Sequence, residues 1–347
     1  MDRVTASNLT PHPALYGRML DDGRLQCGLC PRECKLHPGQ HGACLVRGRV
    51  GDQLVLHAYG RASGLCVDPI EKKPLYHFHP GSDVLSFGTV GCNLACKFCQ
   101  NWGLSKAKDL SRMVASATPQ AVALAAQHAG CRSVAFTYNE PVIFAEYAMD
   151  VADACHALGI ATVAVTAGYI QPPAREEFFA RIDAANVDLK SFREDFYYRL
   201  TGAHLQPVLD TLRYLRHHTS VWLEITTLLI PGYNDSPAEV TELCRWIAGE
   251  LGTDVPLHWS AFHPNHRLRD IAPTPRDTLE RCHDIALSQG LSFVYQGNVR
   301  GGRGHTTHCP RCDAELLVRE GFAVVRNAVA ADGTCPHCGQ KLPGRFL

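Results

Sequence analysis

The feature that most limits what this chain can fold into is a short run of three cysteines, Cys92, Cys96 and Cys99. Their Cys-x3-Cys-x2-Cys spacing lets three thiolates face one centre on a short loop, and no fourth cysteine follows at a usable distance. A cuboidal iron–sulfur cluster normally takes four cysteine ligands, so three would leave one iron open. Zinc is the alternative, but zinc prefers four ligands in Cys-x2-Cys pairs. The spacing therefore favours a cluster with one open iron.

Beyond Val84, short apolar runs alternate with segments that carry helix-start and helix-end signals. Thr118 followed by Pro119 indicates a helix start, and Gly130 lies beyond the end of that helix. The apolar runs lack polar alternation, which is typical of strands buried on both faces. Strands that alternate with helices predict parallel β–α units, and therefore an α/β fold. We predict a partial (β/α)6-type TIM barrel of six or seven units, with strands at 84–88, 133–137, 161–165, 186–189, 221–229, 257–261 and 292–295.

Unusual polar residues follow the predicted strands. The cysteine run follows the first strand, and the later strands lead into 137–141, 166–169, 188–190, 230–235, 263–266 and 297–298. A parallel barrel carries its chemistry just past the carboxyl ends of its strands. We therefore expect these segments to form one site.

Two further groups account for most of the other cysteines. The chain has 16 cysteines and no apparent export signal, so metal ligation explains the groups better than disulfides do. The first group lies in a loop-rich segment and is compatible with zinc or a second iron–sulfur cluster: Cys27, Cys30, Cys34 and Cys44. The last group forms two Cys-x2-Cys knuckles, which predict a zinc ribbon, with a rubredoxin-like iron site as the alternative: Cys309, Cys312, Cys335 and Cys338.

Composition divides the chain into a Cys-rich N-terminal region with a connector at 1–80, a barrel at 81–300 and a zinc-ribbon-like tail at 301–347. Residues 68–81 have the character of a charged, proline-bounded connector, and 301–304 that of a glycine hinge. The 34 basic and 34 acidic residues cancel, which argues against a surface for nucleic acid or anionic membrane. No apolar run reaches the length that spans a bilayer. We expect a cytoplasmic protein that binds neither nucleic acid nor membrane.

With Phe98 in the aromatic position, the cysteine run resembles the Cys-x3-Cys-x-aromatic-Cys signature of the radical SAM superfamily. The resemblance implies a [4Fe-4S] cluster whose open iron is chelated by S-adenosylmethionine (SAM). One electron from the reduced cluster then cleaves a carbon–sulfur bond and yields a 5′-deoxyadenosyl radical. Such chemistry requires the protein mainly for positioning and shielding.

The same resemblance implies roles for residues that follow the strands. Glu140, with Asn139, would accept a hydrogen bond from the amino group of SAM, whereas a glutamate at a helix start is the alternative. Asp188 and Lys190 point to one side of a strand and resemble the Asp-x-Lys of glycyl-radical-enzyme activases, in which the lysine contacts the cofactor. A structural ion pair is the alternative for these two residues.

Four more residues complete the predicted site. His263 resembles a late-strand histidine of those activases and would touch the carboxylate or ribose of SAM, unless it is a simple loop histidine. Thr166 and Gly168 would let the ribose approach the backbone. Glu224, in an otherwise apolar strand, would be a further contact if it points inward. Among the predicted cofactor contacts, we assign catalytic roles to Lys190 and His263.

Nearly the whole chain resembles the AmmeMemoRadiSam-system radical SAM enzymes, relatives of pyruvate formate-lyase activating enzyme. The matching segments include 91–102, 137–141, 187–190 and 227–235, whereas Ala167 replaces an asparagine common in that family. The resemblance implies hydrogen abstraction from an unidentified substrate, with a protein or peptide as one candidate, because a partial barrel is open at one side. The terminal metal domains could cover or steer that opening. Implied partners are a low-potential electron donor such as flavodoxin or ferredoxin, and Memo-like and AMMECR1-like proteins.

Two other classes of protein remain as alternatives. An iron–sulfur electron-transfer protein would hold clusters but would need no open iron. A zinc-ribbon adaptor would act through the C-terminal cysteines without catalysis.

Overall fold

The computed structural model of the chain describes residues 11–107, 117–299, 301 and 304–346. Before the barrel, the chain forms two small antiparallel sheets of three strands each, with strand orders β2-β3-β4 and β1-β6-β5. These strands are β1 (His12–Pro13), β2 (Gly17–Met19), β3 (Leu25–Cys27), β4 (Lys35–Leu36), β5 (Arg47–Val50) and β6 (Gln53–Leu56). The cysteine-rich segment that was predicted to be loop-rich therefore has short sheets of its own.

The centre of the molecule is an eight-stranded sheet in the order β14-β13-β12-β11-β10-β9-β8-β7. Seven strands are parallel, and each matches a predicted strand: β8 (Asp83–Gly88), β9 (Ser133–Phe136), β10 (Ala161–Thr166), β11 (Ala184–Asp188), β12 (Trp222–Leu229), β13 (Leu257–Ala261) and β14 (Val294–Gly297). An eighth strand, β7 (Ser63–Pro69), pairs antiparallel with β8. Among the described residues β7 and β14 are the edges, so the sheet does not close. The predicted α/β class is confirmed.

Helices follow the strands and cover the outer face of the sheet. The helices are α1 (Trp102–Ser105), α2 (Pro119–His128), α3 (Ala145–His156), α4 (Pro172–Phe179), α5 (Glu194–Phe196), α6 (Gln206–His218), α7 (Pro237–Trp246) and α8 (Arg276–Ser288). Helix α2 begins as predicted, because the Thr118 side chain accepts a hydrogen bond from the Ala121 N–H at 3.2 Å. Helix α6 buries Val208, Leu212 and Leu215, whose spacing of three and four residues makes an apolar stripe.

Most residues of the predicted connector at 68–81 are buried. Asp68 forms ion pairs with Lys72 at 2.7 Å and with Lys73 at 2.6 Å, and the Lys73 side chain is only 2% exposed. The N–H groups of Tyr76 and His77 donate to the buried Glu224 carboxylate at 3.0 and 2.8 Å. The ion pairs of Asp68 lie within the segment, and the Glu224 carboxylate attaches the segment to the barrel.

The C-terminal segment forms an antiparallel sheet in the order β15-β16-β17, which we call the ribbon: β15 (Thr307–His308), β16 (Glu315–Glu320) and β17 (Ala323–Asn327). Arg319 donates to the Tyr76 carbonyl at 2.7 Å, and the Arg345 N–H donates to the His77 carbonyl at 2.7 Å. The Arg345 guanidinium also donates to the carbonyl of Ser220, which lies just before β12. The ribbon therefore packs at the amino ends of the strands.

Two sequence expectations concern how these regions are joined. Contacts cross both predicted domain limits, which stay predictions, and the predicted glycine hinge at 301–304 lies partly outside the described residues. In the part of the chain that the structure describes, no helix is long and apolar enough to cross a membrane.

Candidate active site

A pocket opens at the carboxyl ends of the parallel strands, with about 1420 Å³ of atom-free space counted out to its mouth. All seven parallel strands, or the loops that follow them, contribute to its wall, as the sequence predicted for a parallel barrel. Its lining includes the three cysteines of the central run and, from the other strands, Asn139, Glu140, Thr166, Asp188, Lys190, Thr226, Ser260 and Asn298. Most of the predicted site residues therefore meet in one place.

The loop that carries the three cysteines is held from the neighbouring strand by Asn139. The Asn139 side chain accepts from the Thr89 N–H at 3.1 Å and donates to the Gly91 carbonyl at 2.9 Å. Gly88, at the end of β8, allows this approach, because a Cβ there would lie 2.3 Å from the Thr137 carbonyl oxygen. Asn139 therefore fixes the cysteine loop, and its predicted contact with the cofactor stays a prediction.

Cys92, Cys96 and Cys99 form one wall of the pocket. Burial raises the pKa of Cys92 to about 12 and the pKa of Cys96 to about 11. A metal centre would hold such thiols in the thiolate form near neutral pH. Three sulfurs on one short loop, facing open space, match the donor set of a cuboidal cluster with one free iron. The residues therefore fit the predicted [4Fe-4S] cluster.

Glu140 is buried, and its carboxylate accepts three hydrogen bonds. The donors are the Thr166 hydroxyl at 2.5 Å, the Ala167 N–H at 2.7 Å and the Val142 N–H at 3.2 Å. The bond from Val142 caps a short 3-10 turn at Pro141–Phe144, so the helix-start role is observed. Burial raises the pKa of Glu140 to about 7, although the three donors oppose the rise. A cation bound in the pocket would favour the ionised form.

Asp188 and Lys190 form an ion pair on the pocket wall, with 2.7 Å between Oδ2 and Nζ. The backbone N–H of Lys190 donates to the Tyr197 hydroxyl at 3.0 Å, which fixes the loop that follows β11. Burial lowers the pKa of Lys190, but attraction by Asp188 and Cys96 outweighs burial and raises the pKa above its ordinary value. The pair is thus structural and also faces the space where a ligand would bind.

Three residues of the predicted site do not line the pocket as the structure describes it. Gly168 adopts a φ of 65°, and its N–H donates to the Thr166 hydroxyl at 3.0 Å. His263 is exposed, with its Nε2 3.3 Å from the Asn298 carbonyl oxygen. The roles of both residues in cofactor binding stay predictions. Glu224 is buried at the base of the barrel, where it also contacts His258 at 2.6 Å, so it supports the connector instead of the pocket.

Residues 87–244, from the end of β8 to α7, match the family model described as the radical SAM superfamily. The chain belongs to the radical SAM superfamily. It is 37% identical over 331 residues to an uncharacterized protein of Methanocaldococcus jannaschii, covering 95% of this chain and 98% of that protein. It is 24% identical over 238 residues to the pyruvate formate-lyase 1-activating enzyme of Escherichia coli, covering 62% of this chain and 93% of that enzyme. The predicted relationship to such activating enzymes is confirmed.

Solved structures share the radical SAM fold. A radical SAM methyltransferase from Sphaerobacter thermophilus aligns with a TM-score of 0.52 and 18% identity, covering 84% of this chain and 79% of that one. Streptococcus suis SuiB bound to its precursor peptide aligns with a TM-score of 0.51 and 14% identity, covering 67% of this chain and 51% of that one. At these identities, the likeness concerns the fold alone.

The radical SAM pocket also contains residues that the sequence analysis missed. Lys72 and Lys73 reach the pocket from the connector, and Tyr138 lines it with a φ of 70°. The Tyr138 hydroxyl donates to Asp68 at 3.1 Å and lies 3.0 Å from the Cys66 sulfur. The sequence did contain a signal for this: Lys72 and Lys73 follow Asp68 within a short segment. Such closely spaced opposite charges are typical of buried groups, because buried charges require partners.

The two terminal cysteine groups lie at different ends of the radical SAM barrel. The four C-terminal cysteines come together at the base, and all their sulfurs lie within 4.8 Å of one another. The four N-terminal cysteines line a cavity beside the central cysteine loop. The ribbon packs at the ends of the strands opposite the pocket, and the expectation that the terminal domains could cover or steer the side opening of the barrel stays a prediction.

Proposed function

We propose that the chain is a radical SAM enzyme that uses a [4Fe-4S] cluster to cleave SAM reductively, giving a 5′-deoxyadenosyl radical that abstracts hydrogen from its substrate. The observation that supports this most is that Cys92, Cys96 and Cys99 share one pocket with Glu140 and Lys190. When bound on the three cysteines, the cluster supplies a free iron and one electron. A protein or peptide substrate is the candidate suggested by the activating-enzyme relatives.

The residues of the pocket would bind and orient SAM. The Glu140 carboxylate can accept from a cationic amine, and the Thr166 hydroxyl sets the direction of that carboxylate through their 2.5 Å bond. Lys190, held by Asp188, can pair with a carboxylate. His263 contacts Asn298, which lines the pocket, and we propose that His263 is the late-strand residue that contacts SAM.

The proposed partners follow from the family resemblance of the sequence. The electron would come from a low-potential donor such as flavodoxin or ferredoxin. We also assign the chain to the AmmeMemoRadiSam group, with Memo-like and AMMECR1-like proteins as partners. Zinc is the proposed metal at the four C-terminal cysteines, because their compact sulfurs suit a single tetrahedral ion.

Anaerobic reconstitution followed by dithionite tests the proposed reaction. The wild-type protein should convert SAM to 5′-deoxyadenosine and methionine, measured by mass spectrometry. Cys96→Ala should lose the brown colour and the cleavage together. Cys131→Ala is the matched control, because Cys131 is equally buried but lies outside the pocket, and it should keep both. Intact SAM beside a fully loaded, reduced cluster would refute the proposal.

A further inference from the structure

The four N-terminal cysteines surround a small cavity of their own, whose lining residues differ from those of the pocket at the strand ends. Three of their side chains are buried, and the Cys34 side chain is half-buried. We infer that Cys27, Cys30, Cys34 and Cys44 bind an iron–sulfur cluster, rather than a zinc ion, directly against the cysteine loop of the radical SAM site.

The spacing of the sulfurs separates the two metals. In the C-terminal group, the Cys309 and Cys338 sulfurs lie 3.6 Å apart, and the Cys312 and Cys335 sulfurs lie 3.7 Å apart. These distances are close to the edge of about 3.8 Å that a tetrahedron has when its Zn–S bonds are about 2.3 Å. Among the described residues, this is the group whose ligand atoms all lie within 4.8 Å of one another.

The four N-terminal cysteines face one cavity, but their sulfurs do not all lie within 4.8 Å of one another. The sulfurs of the three cysteines of the radical SAM loop do not meet this limit either. A cuboidal cluster holds its cysteine sulfurs further apart than a single ion does, because each sulfur binds a different iron. Unlike the compact group in the ribbon, the N-terminal four are therefore not gathered as closely as the ligands of a single zinc ion.

A backbone N–H points at one of these sulfurs, as donors do around cluster ligands. The Ala43 N–H donates to the Cys34 sulfur at 3.5 Å. The side chains of Arg32 and Asn93 line the cavity together with these cysteines. The Arg32 guanidinium is held by hydrogen bonds to two carbonyl oxygens. Because Arg32 lines the same cavity, its positive charge can balance an anionic cluster.

The cavity adjoins the radical SAM loop at two points. Gly91 adopts a φ of 85°, and a Cβ at Gly91 would lie 2.0 Å from the Cys44 carbonyl oxygen. Asn93 lines the cavity together with Cys30, and Asn93 directly follows Cys92 in the chain. A single residue therefore separates a ligand of one centre from a ligand of the other.

Metal and sulfide counting tests the inference, whether or not the chain cleaves SAM. The test protein is full-length chain with Cys92, Cys96 and Cys99 all changed to alanine, reconstituted anaerobically with iron and sulfide. It should retain about four iron and four acid-labile sulfide per chain, besides one zinc. Acid-labile sulfide distinguishes a cluster from mononuclear iron. About two zinc with no sulfide would overturn the inference.

The wild-type protein gives a second measurement in case the triple variant folds poorly. It should bind about eight iron and eight sulfide, whereas about four of each, with two zinc, would refute a second cluster. In the reduced wild-type protein, two adjacent paramagnetic clusters should broaden each other's electron paramagnetic resonance signals. In the triple variant the remaining signal should be narrow and should not respond to added SAM. A remaining signal that responds to SAM would contradict the assignment.

Discussion

Glu146→Ala should release the N-terminal region from the barrel. The Glu146 carboxylate, on α3, accepts from both terminal nitrogens of Arg47 at 2.6 and 3.0 Å and from the Leu15 N–H at 2.7 Å. The side chains of Arg47 and Glu146 are only 2% and 6% exposed. The substitution therefore leaves a buried guanidinium without its counter-charge.

The expected loss is about 4 kcal/mol. Three hydrogen bonds to a charged group contribute about 1.5 kcal/mol each at the lower end of their range. Removing one partner of a buried ion pair costs about 3–5 kcal/mol, a range that includes the loss expected here. Since about 1.4 kcal/mol changes an equilibrium tenfold, opening of β5 and β6 should become roughly a thousand times more frequent.

Native-state hydrogen exchange, read by mass spectrometry on peptides that cover Arg47–Val50 and Gln53–Leu56, measures this opening. Asp52→Ala is the matched control, because Asp52 pairs with Arg49 but its side chain is 85% exposed. This substitution should change the free energy of opening by under about 1 kcal/mol. Arg47→Met combined with Glu146→Leu should recover most of the loss, since it removes both charges. The reasoning fails if Glu146→Ala and Asp52→Ala have equal effects at the same metal loading.

Three further predictions concern the radical SAM loop, the ribbon and the base of the barrel. Gly91→Ala should lower the iron bound by the reconstituted protein, because its Cβ would strike a carbonyl oxygen at 2.0 Å, whereas Gly249→Ala meets nothing within 4 Å and should not. Cys312→Ser should lose one zinc per chain, measured by elemental analysis, and should keep SAM cleavage, because the ribbon packs away from the pocket. Burial lowers the pKa of His77 to about 4, so the unfolded chain takes up a proton first as the pH falls from about 6.5. The stability that His77 contributes should fall by about 3 kcal/mol between pH 6.5 and 4. In denaturant titrations, a His77→Gln variant should lack this component, and an unchanged pH dependence would refute the assignment.

Local pattern was enough to predict the barrel. All seven parallel strands were predicted, because each is a buried apolar run bounded by helix signals and can be recognised from its own local sequence. The limits differed by up to two residues, as at β11, which begins at Ala184 instead of 186. The grouping of Cys92, Glu140, Thr166 and Lys190 also followed from sequence, because carboxyl ends of parallel strands meet at one edge.

The connector could not be predicted in the same way. Glu71, Lys73 and His77 look like surface residues, since charged and polar side chains are mostly exposed. The burial of Glu71 and His77 depends on partners far along the chain, as when Arg319 lies 3.5 Å from Glu71. The exposed position of His263 was equally invisible, because sequence gives the end of a strand but not the direction of the loop that follows.

The position of the ribbon bears on how this protein is made. Every strand of the central sheet is synthesised before Arg319 and Arg345, the residues that bond to Tyr76 and His77. Until then Glu71 lacks its cationic neighbour, and the carbonyl groups of Tyr76 and His77 lack these hydrogen-bond donors. We expect chains that terminate early to be held by chaperones and removed by proteases, so that translation must finish before the barrel is sealed.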